Sequence, residues 1–211
     1  MLEVVHFLVH TQFEQEAEVS FSCEKIPKKR KFYSTVVDSQ FATQSCQFTE
    51  LCDLSKGVLP CSTHGKQCRV AMHDFLFGCG FSCKDLSALK PAKGNVLKKH
   101  ILATGTGTSG LTFKAVLKHC SRALPKVILL ENVNLEDMPD NKSEDDECEK
   151  LLSNIEFLYS SLEELGYVVG HDLLKSSDYG LPQVRKPKHN NERQNFNVRG
   201  NSKDPSETES G

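Results

Sequence analysis

Val-Ile-Leu-Leu-Glu-Asn-Val, residues 127–133, decides the fold, because its first four residues form the most apolar segment of the chain. An apolar run without polar alternation fits a parallel strand that is buried on both faces. Just before it, residues 111–124 carry apolar side chains at helical spacing, and Pro125 ends that pattern. The segment therefore predicts a helix followed by a buried strand of an α/β sheet.

The same alternation continues on both sides of this segment. Short apolar runs predict further strands, and apolar stripes or an opening proline predict further helices. The predicted strands are residues 19–24, 75–78 and 167–174, and the predicted helices begin at Pro27 and span residues 151–165. Gly166 is expected to end the second of these helices. An α/β fold with parallel strands follows from this order.

Composition limits the possible functions. The chain has 211 residues and a formal net charge of -2, which argues against a generally basic nucleic-acid-binding surface. No run approaches the roughly 20 apolar residues of a membrane span, and no basic secretory leader is recognisable at the start. Nine cysteines, an odd number, indicate free thiols, ligands or a nucleophile in a reducing compartment. We therefore expect a protein that is not secreted.

Four side chains form a set whose chemistry belongs together. Cys83 lies in Gly-Cys-Gly-Phe-Ser-Cys-Lys-Asp (residues 78–85), Glu131 follows the apolar strand, and Gln183 and Arg185 end Tyr-Gly-Leu-Pro-Gln-Val-Arg (residues 179–185). A thiolate can add to carbon 6 of a pyrimidine and make carbon 5 nucleophilic. A carboxyl group can hold ring nitrogen 3, and a guanidinium suits a base carbonyl or a phosphate. Together they satisfy the needs of methyl transfer to an unactivated pyrimidine carbon.

In this order and spacing, residues 17–185 resemble the catalytic core of the DNA (cytosine-5) methyltransferases. The resemblance implies a Rossmann-like fold, S-adenosylmethionine as the cofactor, and methyl transfer to carbon 5 of cytosine in DNA through a covalent cysteine adduct. It further implies catalytic roles for Cys83, Glu131 and Arg185. The residues implied to bind the substrate are Ser82, Asn132 and Gln183.

The resemblance also assigns cofactor contacts. Glu24 resembles the acid that binds the ribose hydroxyls of S-adenosylmethionine, and Glu50, with Asp53 as its substitute, resembles the acid that contacts the adenine amine. Ligands of parallel sheets bind at the carboxyl ends of the strands, so Glu24, Cys83 and Glu131 are expected to meet at one edge.

The sequence departs from the family pattern in several places. Ser82 stands where the family usually has proline, and Pro187 replaces a second arginine. The first glycine-bearing cofactor motif is not recognisable upstream of residue 15, and the target-recognition region would follow Arg185. We expect a catalytic core over residues 1–187 that is incomplete at both ends, and a disordered polar tail over residues 188–211. The glycine-rich residues 104–110 are interpreted as a flexible loop on the substrate side.

The sequence leaves other functions open. It also fits a catalytically inactive methyltransferase-like binding protein, or a tRNA cytosine-5 methyltransferase. We expect DNA, or else RNA, as the partner, no membrane, and a location in the nucleus or nucleoid. A zinc-binding module is a third alternative, since Cys61, His64 and Cys68, with Cys46 or Cys52, offer soft ligands. The main interpretation assigns no metal site.

Overall fold

The computed structural model describes residues 19–40, 45–72, 74–86, 100–133, 135, 152–174 and 193–200. Its strands are β1 (Phe21–Cys23), β2 (Cys46–Phe48), β3 (Val58–Pro60), β4 (Gln67–Arg69), β5 (Leu76–Gly80), β6 (Val127–Val133), β7 (Tyr167–Leu174) and β8 (Arg193–Gly200). Its helices are α1 (Pro27–Gln40), α2 (Ile101–Thr104), α3 (Gly107–Ala123) and α4 (Asn154–Glu164), with a 3-10 helix at Leu51–Lys56. Among the described helices, none has both the length and the apolar character that a bilayer-spanning helix needs.

The described strands form a four-stranded sheet and two pairs. The sheet has the order β5-β6-β8-β7; β5 and β6 are parallel, and β8 runs antiparallel to both of its neighbours. Therefore β5, β6 and β7 share one direction, as the alternating sequence pattern predicts. Strands β1 and β2 form a parallel pair, and β3 and β4 form an antiparallel hairpin.

The main core lies between β6 and the helices α3 and α4. Residues of β6 alternate between buried and half-buried, with Ile128 and Leu130 fully buried on one face. Phe113 and Val116 of α3 and Leu158 and Leu162 of α4 belong to the same cluster. Full burial of one such side chain contributes roughly 1.5–3 kcal/mol. This packing fixes the position of β6, which carries Glu131.

A second, smaller core supports the β1–β2 pair and the β3–β4 hairpin. Its buried members are Phe48, Leu54, Leu59, Cys61 and Val70. Phe21 of β1 packs against both cores. Arg122 of α3 donates a hydrogen bond to the carbonyl oxygen of Ser55 in the 3-10 helix. The two cores therefore hold β1, β2 and α3 in a fixed relation.

The structure confirms the predicted alternation of strands and helices. Helix α1 begins at Pro27, and β7 has the predicted bounds. Helix α4 starts at a capping box: the Ser153 side chain accepts from the backbone N–H of Glu156, and the Glu156 carboxylate accepts from that of Ser153.

Two expectations are corrected. Residues 193–200, which the sequence analysis assigned to a disordered tail, form β8 and occupy the space between β6 and β7. Phe196 and Val198 alternate with polar residues there, and pairing on both sides satisfies the strand's backbone groups. The rest of the predicted tail lies outside the described residues.

The glycine-rich stretch is not a loop throughout. Gly105 (φ 67°) caps α2, and Gly107 begins α3. A Cβ on Gly110 would lie 2.6 Å from the Gly105 carbonyl carbon, so this glycine lets α3 pack closely on the end of α2.

Candidate active site

Glu131 and the end of β5 lie side by side. In the parallel register Gly80, the last residue of β5, is the partner of Glu131 in β6. A Cβ built on Gly80 would be 3.1 Å from Oε2 of Glu131. The carboxylate therefore lies over the backbone of Gly80, where a larger residue would crowd it. The glycine allows the acid to sit directly beside the loop that follows β5.

That loop presents Cys83 to solvent. Phe81 and Leu86 are buried in the main core, whereas Cys83 and Lys84 between them are exposed. The Phe81 ring packs on Phe113 of α3 with 5.1 Å between centroids, and the Leu86 N–H donates to the Cys83 carbonyl oxygen at 3.1 Å. Two buried anchors thus hold a short turn that carries an accessible thiol.

Three hydrogen bonds join helix α3 to the loop. The backbone N–H of Ser82 donates to Oγ1 of Thr112 at 3.1 Å. The backbone N–H of Asp85 donates to Oγ of Ser109 at 3.0 Å, and the N–H of Ser109 donates to Oδ2 of Asp85 at 3.1 Å. Ser109 and Thr112 are three residues apart, so they project from one face of the helix. Their hydrogen bonds hold the loop on both sides of Cys83.

Asn132 ties β6 to the same loop. Its side chain is 2% exposed, and Nδ2 donates to the carbonyl oxygen of Phe81 at 3.1 Å. Its Oδ1 accepts the backbone N–H of Val133 at 2.9 Å. The residue after Glu131 therefore sets the distance between β6 and the Cys83 loop.

The other thiols of this region are poor sources of thiolate. Cys79 points toward the core, and desolvation there raises its pKa, with a further contribution from the nearby Cys120. Burial also raises the pKa of Cys120 to about 12. Because the thiolate is the nucleophile, exposed Cys83 is better suited to attack than either neighbour.

The acids predicted to hold a cofactor lie at the ends of the β1–β2 pair. The Glu24 N–H donates to the Phe48 carbonyl oxygen at 3.1 Å, which extends the parallel pairing past β1. Lys25 forms an ion pair with Glu50 at 3.1 Å. Burial raises the pKa of Cys23 to about 12, and the Glu50 and Glu24 carboxylates add to this. Two acids thus converge at the carboxyl ends of neighbouring strands.

The predicted cofactor-binding acids make different contacts with the rest of the protein. Glu24 Oε1 accepts the backbone N–H of Ile26 at 2.8 Å, which orients its carboxylate at the start of α1. Asp53, the predicted substitute for Glu50, lies within the 3-10 helix and pairs with Lys56 at 2.7 Å. Glu50 directly precedes that helix, and its carboxylate, like that of Glu24, lies close enough to Cys23 to raise the pKa of that thiol.

The structure thus groups the predicted residues into two sets at strand ends. Cys83, Ser82, Glu131 and Asn132 surround the ends of β5 and β6, and Glu24 and Glu50 lie at the ends of β1 and β2. Gln183 and Arg185 lie outside the described residues. No role was predicted from the sequence for Thr112, Ser109 or Asp85. The available signal was the helical spacing of Ser109 and Thr112, together with a polar residue, Asp85, in the turn.

Comparison with known proteins gives the following matches. Residues 58–187 match the family model described as C-5 cytosine-specific DNA methylase. The Type II methyltransferase M.HaeII of Haemophilus aegyptius is 32% identical over 114 residues, which cover 54% of this chain and 29% of that protein. The segment that matches the family model contains Cys83, Glu131, Asn132, Gln183 and Arg185, whereas Glu24, Glu50 and Asp53 precede it.

Two solved structures are also similar. A mutant of Spodoptera frugiperda DNMT2 aligns with a TM-score of 0.48 and 12% identity over 98% of this chain and 50% of that one. The Entamoeba histolytica methyltransferase EhMeth aligns with a TM-score of 0.44 and 16% identity over 90% of this chain and 47% of that one. The chain spans about half the length of these two proteins.

Proposed function

The chain belongs to the C-5 cytosine-specific DNA methylase family, and from this we propose that it methylates carbon 5 of cytosine in DNA, with S-adenosylmethionine as the methyl donor. The observation that carries the proposal is the pairing of Gly80 with Glu131, which brings a carboxylate beside the loop of an exposed thiol. The acid lies on β6, and the nucleophile lies on an anchored loop directly after the neighbouring strand β5. A covalent mechanism on a flat base requires two groups held in this way.

Cys83 is the proposed nucleophile. Its thiolate forms a bond to carbon 6 of the ring, and the electron pair of the 5,6 double bond moves onto the ring, where carbon 5 becomes nucleophilic. Glu131 holds a proton at ring nitrogen 3 and so stabilises the charge that addition creates. After methyl transfer, a base removes the proton from carbon 5 and the Cys83–carbon 6 bond breaks. The thiolate is regenerated, and the 5,6 double bond is restored.

The residues present fit the cofactor. Glu24 and Glu50 are carboxylates at the ends of adjacent parallel strands, where hydroxyl and amine donors of a nucleoside are bound in many α/β proteins. When bound, S-adenosylmethionine supplies an electrophilic methyl group and leaves as S-adenosylhomocysteine. Glu24 would accept the ribose hydroxyls, and Glu50 would accept the adenine amine.

The substrate base must be accessible to the Cys83 thiol. A cytosine inside a duplex is stacked, so the protein has to extrude it, at a cost of a few kcal/mol. We propose that Arg185 and Gln183 contact the base or the adjoining phosphate, and that Ser82 and Asn132 shape the pocket. Asn132 would act as a positioning residue, because its amide is committed to the Phe81 carbonyl oxygen.

Transfer of a labelled methyl group tests the proposal. The full chain is incubated with labelled S-adenosylmethionine and, separately, with duplex DNA and with tRNA. We expect label at carbon 5 of cytosine in DNA, and none with Cys83→Ala. Label in tRNA alone would replace the DNA assignment by the RNA alternative. Cofactor binding without label in either nucleic acid would favour a catalytically inactive binding protein.

Calorimetry tests the proposed binding site for S-adenosylmethionine. We expect Glu24→Gln to weaken S-adenosylmethionine binding by roughly 10-fold, since one charge-assisted hydrogen bond contributes about 1.5–3 kcal/mol. Asp53→Asn serves as the matched control, because Asp53 pairs with Lys56 and is expected to leave the affinity nearly unchanged. Equal affinities of the wild type and Glu24→Gln would contradict the assigned role.

A further inference from the structure

A group of four metal-ligand side chains lies away from the candidate active site. Cys46 begins β2, Cys61 follows β3, His64 lies in the turn of the hairpin, and Cys68 is in β4. Their three sulfur atoms and one ring nitrogen all lie within 4.8 Å of one another. We propose that these residues bind a structural zinc ion, a property that does not depend on the proposed methyl transfer.

The distances match a tetrahedral site. Nδ1 of His64 lies 3.6 Å from Sγ of Cys46, 3.3 Å from Sγ of Cys61 and 3.6 Å from Sγ of Cys68. With Zn–S bonds of about 2.3 Å and a Zn–N bond of about 2.0–2.1 Å, a tetrahedron has an S···N edge of about 3.6 Å. The three S···N distances are therefore already close to the value that a shared central ion imposes.

Hydrogen bonding alone does not account for this arrangement. A single imidazole nitrogen carries one hydrogen or one lone pair, so it can bond to one of the three sulfur atoms at a time. The other two sulfur atoms would then lie within 3.6 Å of the same nitrogen without a hydrogen bond to it. A cation that all four atoms share satisfies each of them at once. Three thiolates and one imidazole favour zinc among the common divalent ions.

The backbone around the group supports a thiolate ligand. The N–H of Gln47 donates to Sγ of Cys61 at 3.4 Å, and the N–H of Ser62 donates to the carbonyl oxygen of Gln47 at 2.8 Å. Hydrogen bonds from backbone N–H groups to a ligand sulfur orient it and stabilise its charge. The hairpin turn is therefore joined to β2 at the same place where the ligands meet.

The metal would join two segments that bury few apolar side chains of their own. The hairpin and β2 share the smaller core, in which the described part of the chain buries five apolar residues. A zinc ion bound by Cys46, Cys61, His64 and Cys68 would clamp β2 to the hairpin and so fix the strand that leads into Glu50. A closed set of four protein ligands leaves no open position, so the role is structural rather than catalytic.

This proposal replaces the sequence-based expectation that the chain holds no metal. The sequence offered Cys46 and Cys52 equally as the fourth ligand. The structure places Cys46 in the group, whereas Cys52 is exposed in the 3-10 helix and lies outside it. Cys52 therefore provides a matched control: a nearby cysteine whose loss should not affect the metal.

Elemental analysis of the full chain, purified under reducing conditions without added chelator, tests the proposal. We expect about one zinc per chain in the wild type and in Cys52→Ser, and a several-fold loss of zinc in Cys68→Ser. Exchange for Co²⁺ should give the visible absorption of a tetrahedral thiolate complex in the wild type, so the test does not depend on whether Cys68→Ser folds.

Three results would overturn the proposal. A wild-type protein that neither contains zinc nor takes up added zinc or cobalt would refute it outright. Iron in place of zinc would refute the assigned metal. Full retention of zinc by Cys68→Ser, with loss in Cys52→Ser, would show that the ligands were wrongly identified.

Chelator-induced lowering of the melting temperature in Cys52→Ser, but not in zinc-free Cys68→Ser, would support the structural role.

Discussion

Replacement of Asn132 by aspartate tests how β6 holds the Cys83 loop. The Asn132 amide is buried and donates to the Phe81 carbonyl oxygen. Aspartate has the same shape, but its ionised form cannot donate and places a negative charge against that carbonyl. Only a protonated carboxyl group can reproduce the hydrogen bond. The stability of the variant should therefore depend on pH in a way that the wild type does not.

The size of the expected loss in unfolding free energy follows from the burial of residue 132. An aspartate has a pKa of about 4 when unfolded, and burial beside a carbonyl oxygen should raise it to about 7 in the folded state. Below about pH 4 the carboxyl group is protonated in both states and the penalty is small. Between about pH 4 and pH 7 the free energy of unfolding should fall by about 1.4 kcal/mol per pH unit relative to the wild type. Above pH 7 the loss should level off at about 4 kcal/mol.

Urea unfolding of the wild type and Asn132→Asp at pH 5, 6, 7 and 8 measures this difference. Asn132→Ala is the control: it loses the hydrogen bonds without introducing a charge, so it should cost about 1–3 kcal/mol at every pH. If Asn132→Asp unfolds with the same midpoint and the same pH dependence as the wild type, the amide does not hold the loop, and the account of the site is wrong.

Three further changes probe the same region and one distant helix. Gly80→Ala should lower methyl transfer by about 10-fold or more, since the new methyl group displaces the Glu131 carboxylate. Gly78→Ala is the control and should fold normally, because its Cβ meets no described atom within 4 Å. Steady-state kinetics and urea unfolding are measured for both variants. Thr112→Val should cost about 0.5–1.5 kcal/mol through the lost loop anchor, and Thr112→Ser much less; equal costs would show that the hydroxyl is not the anchor. Ser153→Ala should cost about 1 kcal/mol of unfolding free energy through the lost capping box, and an unchanged urea midpoint would contradict that.

The sequence predicted those elements whose signal is local. The apolar run before Glu131, the proline at the start of α1 and the glycine after α4 each specify a strand or a helix end through their own chemistry. Their alternation was enough to predict that β5 and β6 are parallel. It was therefore also enough to predict that Cys83 and Glu131 lie at one edge of the sheet.

Features that depend on distant pairing could not be predicted in the same way. Residues 193–200 carry only two apolar side chains, and they form a strand because β6 and β7 offer them pairing partners on both sides. The hairpin of β3 and β4 has three-residue strands in a polar stretch without a clear period. Cys46 joins the cysteines and histidine of that hairpin only through folding, since it lies 15 positions before Cys61 in the sequence.

The central claim is that Cys83 forms the covalent bond to the base. DNA in which every cytosine is replaced by 5-fluorocytosine traps the adduct. A base removes a proton from carbon 5 of the normal intermediate, but it cannot remove fluorine, so the elimination that breaks the Cys83–carbon 6 bond does not occur. With S-adenosylmethionine present, peptide mass spectrometry should find the base attached to Cys83, no adduct in Cys83→Ser, and an unchanged adduct in Cys79→Ser. An adduct on another cysteine, or methylated cytosine formed by Cys83→Ser, would contradict the account.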